Sequence, residues 1–185
     1  MSGAWVYVAE FDANVEVQPV MPLARQAVIE QTTAPLLKRQ RYCVWRLLCD
    51  ALQQVTGKCA DKLSFTVDGN GKWRCDGCVH FSLSHSGNVV AVAVARQPVG
   101  IDVEAMDDKR FNARLARRIL TENELTLYNS VPPCERPQAL VKTWTQKESL
   151  FKRDGGSTFA PKEIDTTLHQ TQCQTYKRYL VAVAL

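Results

Sequence analysis

Ile101-Asp102-Val103-Glu104 sets two carboxylates two residues apart in an apolar run. A strand repeats every two residues, so Asp102 and Glu104 point to one side while Ile101 and Val103 point to the other. Two ionised acids that close repel each other, and a hard cation relieves the repulsion. Magnesium suits the position, because it binds through one or two carboxylates and fills its shell with water and substrate phosphate. An acidic, solvated strand face has the same pattern, so the pair alone does not decide. A third acid lies further on. At about 100° per residue, a helix over 137–153 puts Leu140, Trp144 and Phe151 on one stripe with Val141 at its edge. Glu148 projects inside that arc, flanked by Lys147. A carboxylate on a buried helix face is unfavourable unless it is paired or holds a metal. Lys152, one turn on, offers a partner, and a structural ion pair is the commoner outcome. An acidic strand pair that leaves a cation one ligand short favours the metal.

Phe81-Ser82-Leu83-Ser84-His85-Ser86-Gly87 brings hydroxyls and an imidazole to a strand entrance, where they can contact phosphate oxygens. A serine nucleophile is disfavoured, since Ser84 and His85 point apart in extended chain. Cys75-Asp76-Gly77-Cys78 is half of a zinc site with no second half at matching spacing, so it reads as a polar hairpin tip with incidental thiols. The seven cysteines are an odd number and scattered, which suits reduced thiols better than a disulfide framework. A net charge of +4 mildly favours an anionic partner without choosing between nucleotide, nucleic acid and acidic protein.

These groups need elements to position them. At 185 residues and 45% hydrophobic content, the chain can bury a sizeable core as one domain or two packed lobes. Apolar positions at Leu37, Val44, Leu48, Ala51, Leu52 and Val55 mark one face of a helix over 36–55. Gln97-Pro98-Val99-Gly100 separates two apolar runs, Val89–Ala95 and Val99–Val103, which read as consecutive strands joined by a short turn. A second helix is expected over Ala113–Tyr128 and a third over Pro137–Arg153, stopped by Gly155-Gly156. The tail, Tyr176–Leu185, reads as a buried strand. Helix and strands recur in each half, giving an α+β class with mainly antiparallel pairing. Met1–Asp12 has no leader pattern and no window is long and apolar enough to span a bilayer, so a cytoplasmic protein is expected.

Three segments in order, Phe-Ser-Leu-Ser-His-Ser, Val-Gly-Ile-Asp-Val-Glu and Trp-Thr-Gln-Lys-Glu-Ser-Leu-Phe-Lys, resemble the signature of the 4′-phosphopantetheinyl transferases of the surfactin-synthetase-activating (Sfp-like) class. The resemblance implies a pseudo-dimer of two similar α/β lobes, residues 1–98 and 99–185, with coenzyme A in the cleft between them. It implies magnesium on Asp102, Glu104 and Glu148, bridging the pyrophosphate. His85, Ser84, Lys147 and Lys152 would contact phosphates, and Arg39, Arg41, Arg46 and Lys72 resemble the basic positions that hold the 3′-phosphate and adenine end. Glu124, with Glu122 beside it, matches a further family acid. Ser82 stands where the family usually has Asn, and Trp73 follows Lys72 where Pro is common. The chain is shorter than many relatives, so trimmed loops around the carrier cleft are expected.

The reaction so implied is attack by a carrier serine on the β-phosphate of coenzyme A, with loss of 3′,5′-ADP. Glu148 is the expected proton acceptor, with Lys152 and His85 assisting. The expected partners are coenzyme A and an acidic apo acyl or peptidyl carrier protein, with no nucleic acid or membrane partner and a monomeric state. Two other readings stand beside it. A magnesium-dependent nuclease would also suit acidic strand residues and a basic chain, but such enzymes usually want Glu-x-Lys on the strand, and Ala105 and Met106 follow Glu104. A module that binds coenzyme A or carrier without turnover is the other.

Overall fold

The apolar runs become strands and helices in the computed structural model, which describes residues 3–12, 19–107 and 109–185. Met1 and Ser2, the start of the segment expected to lack a leader, lie outside the described residues. The first half forms β1 (Trp5–Glu10), α1 (Leu23–Glu30), α2 (Pro35–Thr56), β2 (Phe65–Val67), β3 (Trp73–Cys75), β4 (His80–Ser86) and β5 (Val89–Ala95). The second forms β6 (Gly100–Ala105), α3 (Ala113–Ile119), α4 (Glu122–Ser130), α5 (Arg136–Asp154), β7 (Thr171–Tyr176) and β8 (Tyr179–Ala184).

One sheet has the order β1-β5-β4 and another the order β6-β8-β7, all antiparallel; β2 and β3 form a separate hairpin. In each half the opening strand therefore pairs with the last strand, whose other neighbour is its own hairpin partner. A long helix packs on each sheet, α2 on β4 and β5, α5 on β6 and β8. The α+β class with antiparallel sheets is the one expected from the sequence.

The sequence of β5, Val-Val-Ala-Val-Ala-Val-Ala, explains how the halves meet. Val90, Val92 and Val94 join the core under α2 with Val44, Leu48 and Leu52. Ala91, Ala93 and Ala95 join a second core with Ile101, Val103, Val181 and Val183 of the other sheet. Small side chains on that face let two sheets approach closely, and each fully buried valine on the first contributes about 1.5–3 kcal/mol. Three serines on alternate residues of β4 then stitch it to β6. Ile101 N–H donates to Ser82 Oγ (3.0 Å), Val103 N–H to Ser84 Oγ (3.2 Å), and Ser86 Oγ donates to the Glu104 carboxylate (3.2 Å).

Close contact also fixes α5 on β6. A Cβ placed on Gly100 would lie 1.8 Å from the Ser149 carbonyl oxygen and 2.5 Å from the Arg153 nitrogen, so only glycine admits the helix there. The end of α5 is clamped from the other half. Lys72 Nζ donates to the carbonyls of Lys152, Arg153 and Val99, filling acceptors that a helix C-terminus leaves open, and Asn70 Nδ2 reaches Gly155 O at 2.6 Å.

Two of the expected elements are corrected. The helix expected over Ala113–Tyr128 is two helices, because Leu120 is extended and Thr121 starts afresh as an N-cap in a capping box with Glu124. The strands β5 and β6 follow one another through a short link, as expected, and belong to different sheets, so the Pro98 link crosses between the halves. The tail is broken by Lys177 in the left-handed region (φ 52°), which turns β7 into β8. All seven cysteines are free. Cys75 ends β3 and Cys78 lies in the link to β4, away from the hairpin tip expected of them.

Candidate active site

Between the two halves lies a cleft of about 510 Å³, walled by β4, β6, α5, one face of α2 and the loop at 70–72. Asp102, Glu104 and Glu148 line it together, with Ser84, His85, Lys152, Arg41 and Lys72. The two acids from β6 and the one from α5, 44 residues further along, therefore reach the same space. They do so because β6 turns Ile101 and Val103 into the inter-sheet core and leaves its other face to α5.

Asp102 is 4% exposed and Glu104 8%. Asp102 Oδ1 accepts from Ser84 Oγ and from Lys152 Nζ, each at 2.7 Å. Its Oδ2 is buried and accepts no hydrogen bond from the described residues. Glu104 Oε1 accepts from Trp144 Nε1 at 3.0 Å, while Ser86 and Arg110 donate to Oε2. Burial, then the charge of Asp102, pushes Glu104 up to about 7. Burial also raises Glu148; Lys152 opposes that shift and Asp102 adds to it. Burial works against the Lys152 ammonium, yet Asp102 and Glu148 outweigh it and raise its pKa. His85 is driven the other way, down to about 4, first by burial and then by the nearby Lys152, so at neutral pH it meets the cleft as an uncharged donor.

Among the described residues no group of three His, Cys, Asp or Glu side chains stands ready to hold a metal ion. Lys152 and Arg110 instead neutralise Asp102 and Glu104. All three acids nevertheless offer oxygen, and a buried carboxylate oxygen without a donor fits a cation better than any neutral neighbour.

Five of the residues named from the sequence sit differently. Lys147 is fully buried on the far side of α5, where it donates to the carbonyls of Pro161 and Ile164 and pairs with Glu124 Oε2 at 2.6 Å. It does not face phosphates, because its position on the helix turns it into the packing against the 161–164 segment. Burial lowers its pKa against the pull of Glu124. Arg46 pairs with Asp50 on the exposed side of α2, and Arg39 does not line the cleft either. They stand seven residues apart, nearly on one face, while Arg41 is about 200° from Arg39 around the helix. Lys72 does line the cleft, but its ammonium is bonded to the end of α5. Glu124 lies in the buried knot with Lys147, Thr166 and the Thr121 backbone, outside the cleft.

Two cleft residues had no signal in the sequence reading. Arg25 of α1 stacks on Trp45, 5.2 Å from its ring centroid, with a buried Nε lacking a partner among the described residues. Its pKa is lowered by burial and by Arg41. Two like charges held together at one end of a cleft mark a place for an anion. Arg110 is the other, and it donates to the carboxylate of Glu104.

Comparison with known proteins gives a likeness in the part of the chain that carries the β6 acid pair and the helix acid. Residues 98–181 match the family model of the 4′-phosphopantetheinyl transferase superfamily. The matched segment holds Asp102, Glu104 and Glu148. The chain is 30% identical over 119 residues to the 4′-phosphopantetheinyl transferase gsp of Aneurinibacillus migulanus, covering 64% of this chain and 49% of that one. It is 32% identical over 92 residues to the 4′-phosphopantetheinyl transferase Sfp of Bacillus subtilis (strain 168), covering 49% and 40%. It is 29% identical over 92 residues to the 4′-phosphopantetheinyl transferase AcpT of Escherichia coli (strain K12), covering 49% and 47%. The chain thus spans half or less of the length of these relatives. No helix among the described residues is long and apolar enough to cross a membrane.

Proposed function

We propose that the cleft transfers the 4′-phosphopantetheine arm of coenzyme A to a serine of an apo acyl or peptidyl carrier protein, releasing 3′,5′-ADP. The observation that carries this reading is the convergence of Asp102, Glu104 and Glu148 at one part of a cleft that also holds Arg25 and Arg41. A diphosphate beside the acids and a further phosphate beside the arginines would match the charges of coenzyme A.

Asp102, Glu104 and Glu148 would hold magnesium, which when bound neutralises charge on the diphosphate. The serine oxygen attacks the β-phosphorus, a new P–O bond forms, and the bond to the bridging oxygen of 3′,5′-ADP breaks. Glu148 accepts the serine proton, directly or through a water. Lys152 swings from Asp102 to the leaving phosphate, and neutral His85 and Ser84 donate to phosphate oxygens. The two lobes, divided at 98/99, act as one unit. In the same reading the protein works as a cytoplasmic monomer, with neither nucleic acid nor membrane as partner.

The test is incubation with fluorescent coenzyme A and a panel of apo-carriers, with and without chelator, followed by a gel. Label should move to at least one carrier and stop when metal is removed. Transfer undiminished by chelator, or no transfer to any carrier, would remove the proposal.

A further inference from the structure

The two strand acids are not equally open to a cation. Asp102 presents Oδ2 without a donor, whereas Glu104 accepts one donor at Oε1 and two at Oε2, so a cation can use Oε2 only if one of its donors leaves. Of the three donors, two are fixed. The Trp144 ring is wedged between Phe111 and Phe159, at centroid distances of 6.5 and 5.4 Å, and Ser86 is held in the ladder opposite Val89. Arg110 differs. It comes from the link between β6 and α3, its side chain is 51% exposed, and its guanidinium rests 5.0 Å from the Phe111 ring centroid. A guanidinium matches a carboxylate and a phosphate with the same planar fork, so it can pass from one to the other.

Resting on the transferase reading above, we propose that Arg110 is an exchangeable counter-ion. It holds Glu104 in place in the metal-free cleft, yields Oε2 to an arriving divalent cation, and then turns to an anion bound beside that cation. The exchange keeps a positive partner on Glu104 throughout, which two neighbouring buried carboxylates require. Arg110 is thus a positioning residue toward the cation and a ligand toward the phosphate.

The experiment uses the full chain as wild type, Arg110→Gln, Arg110→Lys, Asp102→Ala and Lys109→Gln, the last removing a neighbouring charge for which no bond to Glu104 is seen. Manganese alone is titrated by electron paramagnetic resonance, and coenzyme A is titrated by calorimetry at saturating magnesium. Arg110→Gln should bind manganese about fivefold more tightly and coenzyme A about fivefold more weakly. Arg110→Lys should fall between it and wild type, and Lys109→Gln should stay within about twofold on both measures. Unchanged manganese affinity, unchanged coenzyme A affinity, or an equal shift in Lys109→Gln overturns the inference. If Asp102→Ala loses manganese while Arg110→Gln behaves as wild type, the inference alone falls. If wild type and Asp102→Ala bind manganese equally or not at all, the cation reading of the cleft falls and takes the inference with it.

Discussion

The two halves of the molecule share one plan and divide the work. In the first, α2 lies on β4 and β5 through Val44, Leu48 and Leu52, an apolar seam in which β5 contributes only valines. In the second, α5 lies on β6 and β8, and at the matching place the seam contains Asp102, Glu104, Glu148, Lys152 and Trp144. The first arrangement gains stability from burying apolar area. The second gives some of that up to hold charges in low dielectric, where each is stronger and its pKa is moved. What the comparison teaches is that a chemical site can be installed on a repeated scaffold by changing one helix face and one strand face, provided every buried charge finds a partner.

The largest expected effect tests that proviso. Lys147→Met would leave Glu124 buried and unpaired, which should destabilise the protein by about 3–5 kcal/mol. Chemical denaturation measures this, and a loss under 1 kcal/mol would mean the knot does not anchor α5. Asp102→Ala should lower transfer by at least about 10²–10³-fold while circular dichroism shows the fold retained. Near-normal turnover would show that the charged seam is structural, like its apolar counterpart. An acid titration sharpens the contrast. His85 sits at about 4 in the fold and near 6.5 unfolded, so the unfolded chain binds the proton first. Its contribution is present above pH 6.5 and is lost as pH falls toward 4, about 3 kcal/mol in all. His85→Gln should flatten that limb of the stability curve; an unchanged slope would contradict a half-buried neutral imidazole. The smallest effect is expected of Arg46→Gln, which removes an exposed pair with Asp50 worth about 0–1 kcal/mol and should leave coenzyme A affinity within about twofold. Arg41→Gln, on the cleft side of the same helix, should weaken it more.

Much of the site was legible because it obeys local periods. The two-residue repeat put Asp102 and Glu104 on one face, and the helix repeat put Glu148 among Trp144 and Val141. The same repeat set Arg41 apart from Arg39 and Arg46, but without knowing which face of α2 met the cleft, the three could not be sorted. The break between α3 and α4 had a local signal in Thr121-Glu122-Asn123-Glu124, the capping-box pattern, and a helix period running through it hid that signal. The three-residue strands β2 and β3 were too short for a periodic pattern to register.

By itself the sequence determined the class of fold, the long helices and the pairing of acids on strand and helix, since spacing along the chain controls which side chains share a face. Only the tertiary structure decided where each charge would be spent. Lys147 went to a buried carboxylate, Lys72 to the end of a helix, Arg25 and Arg110 to the cleft. A long flexible cation follows the nearest unsatisfied oxygen, and which oxygen is nearest depends on segments distant in sequence that only the fold brings together.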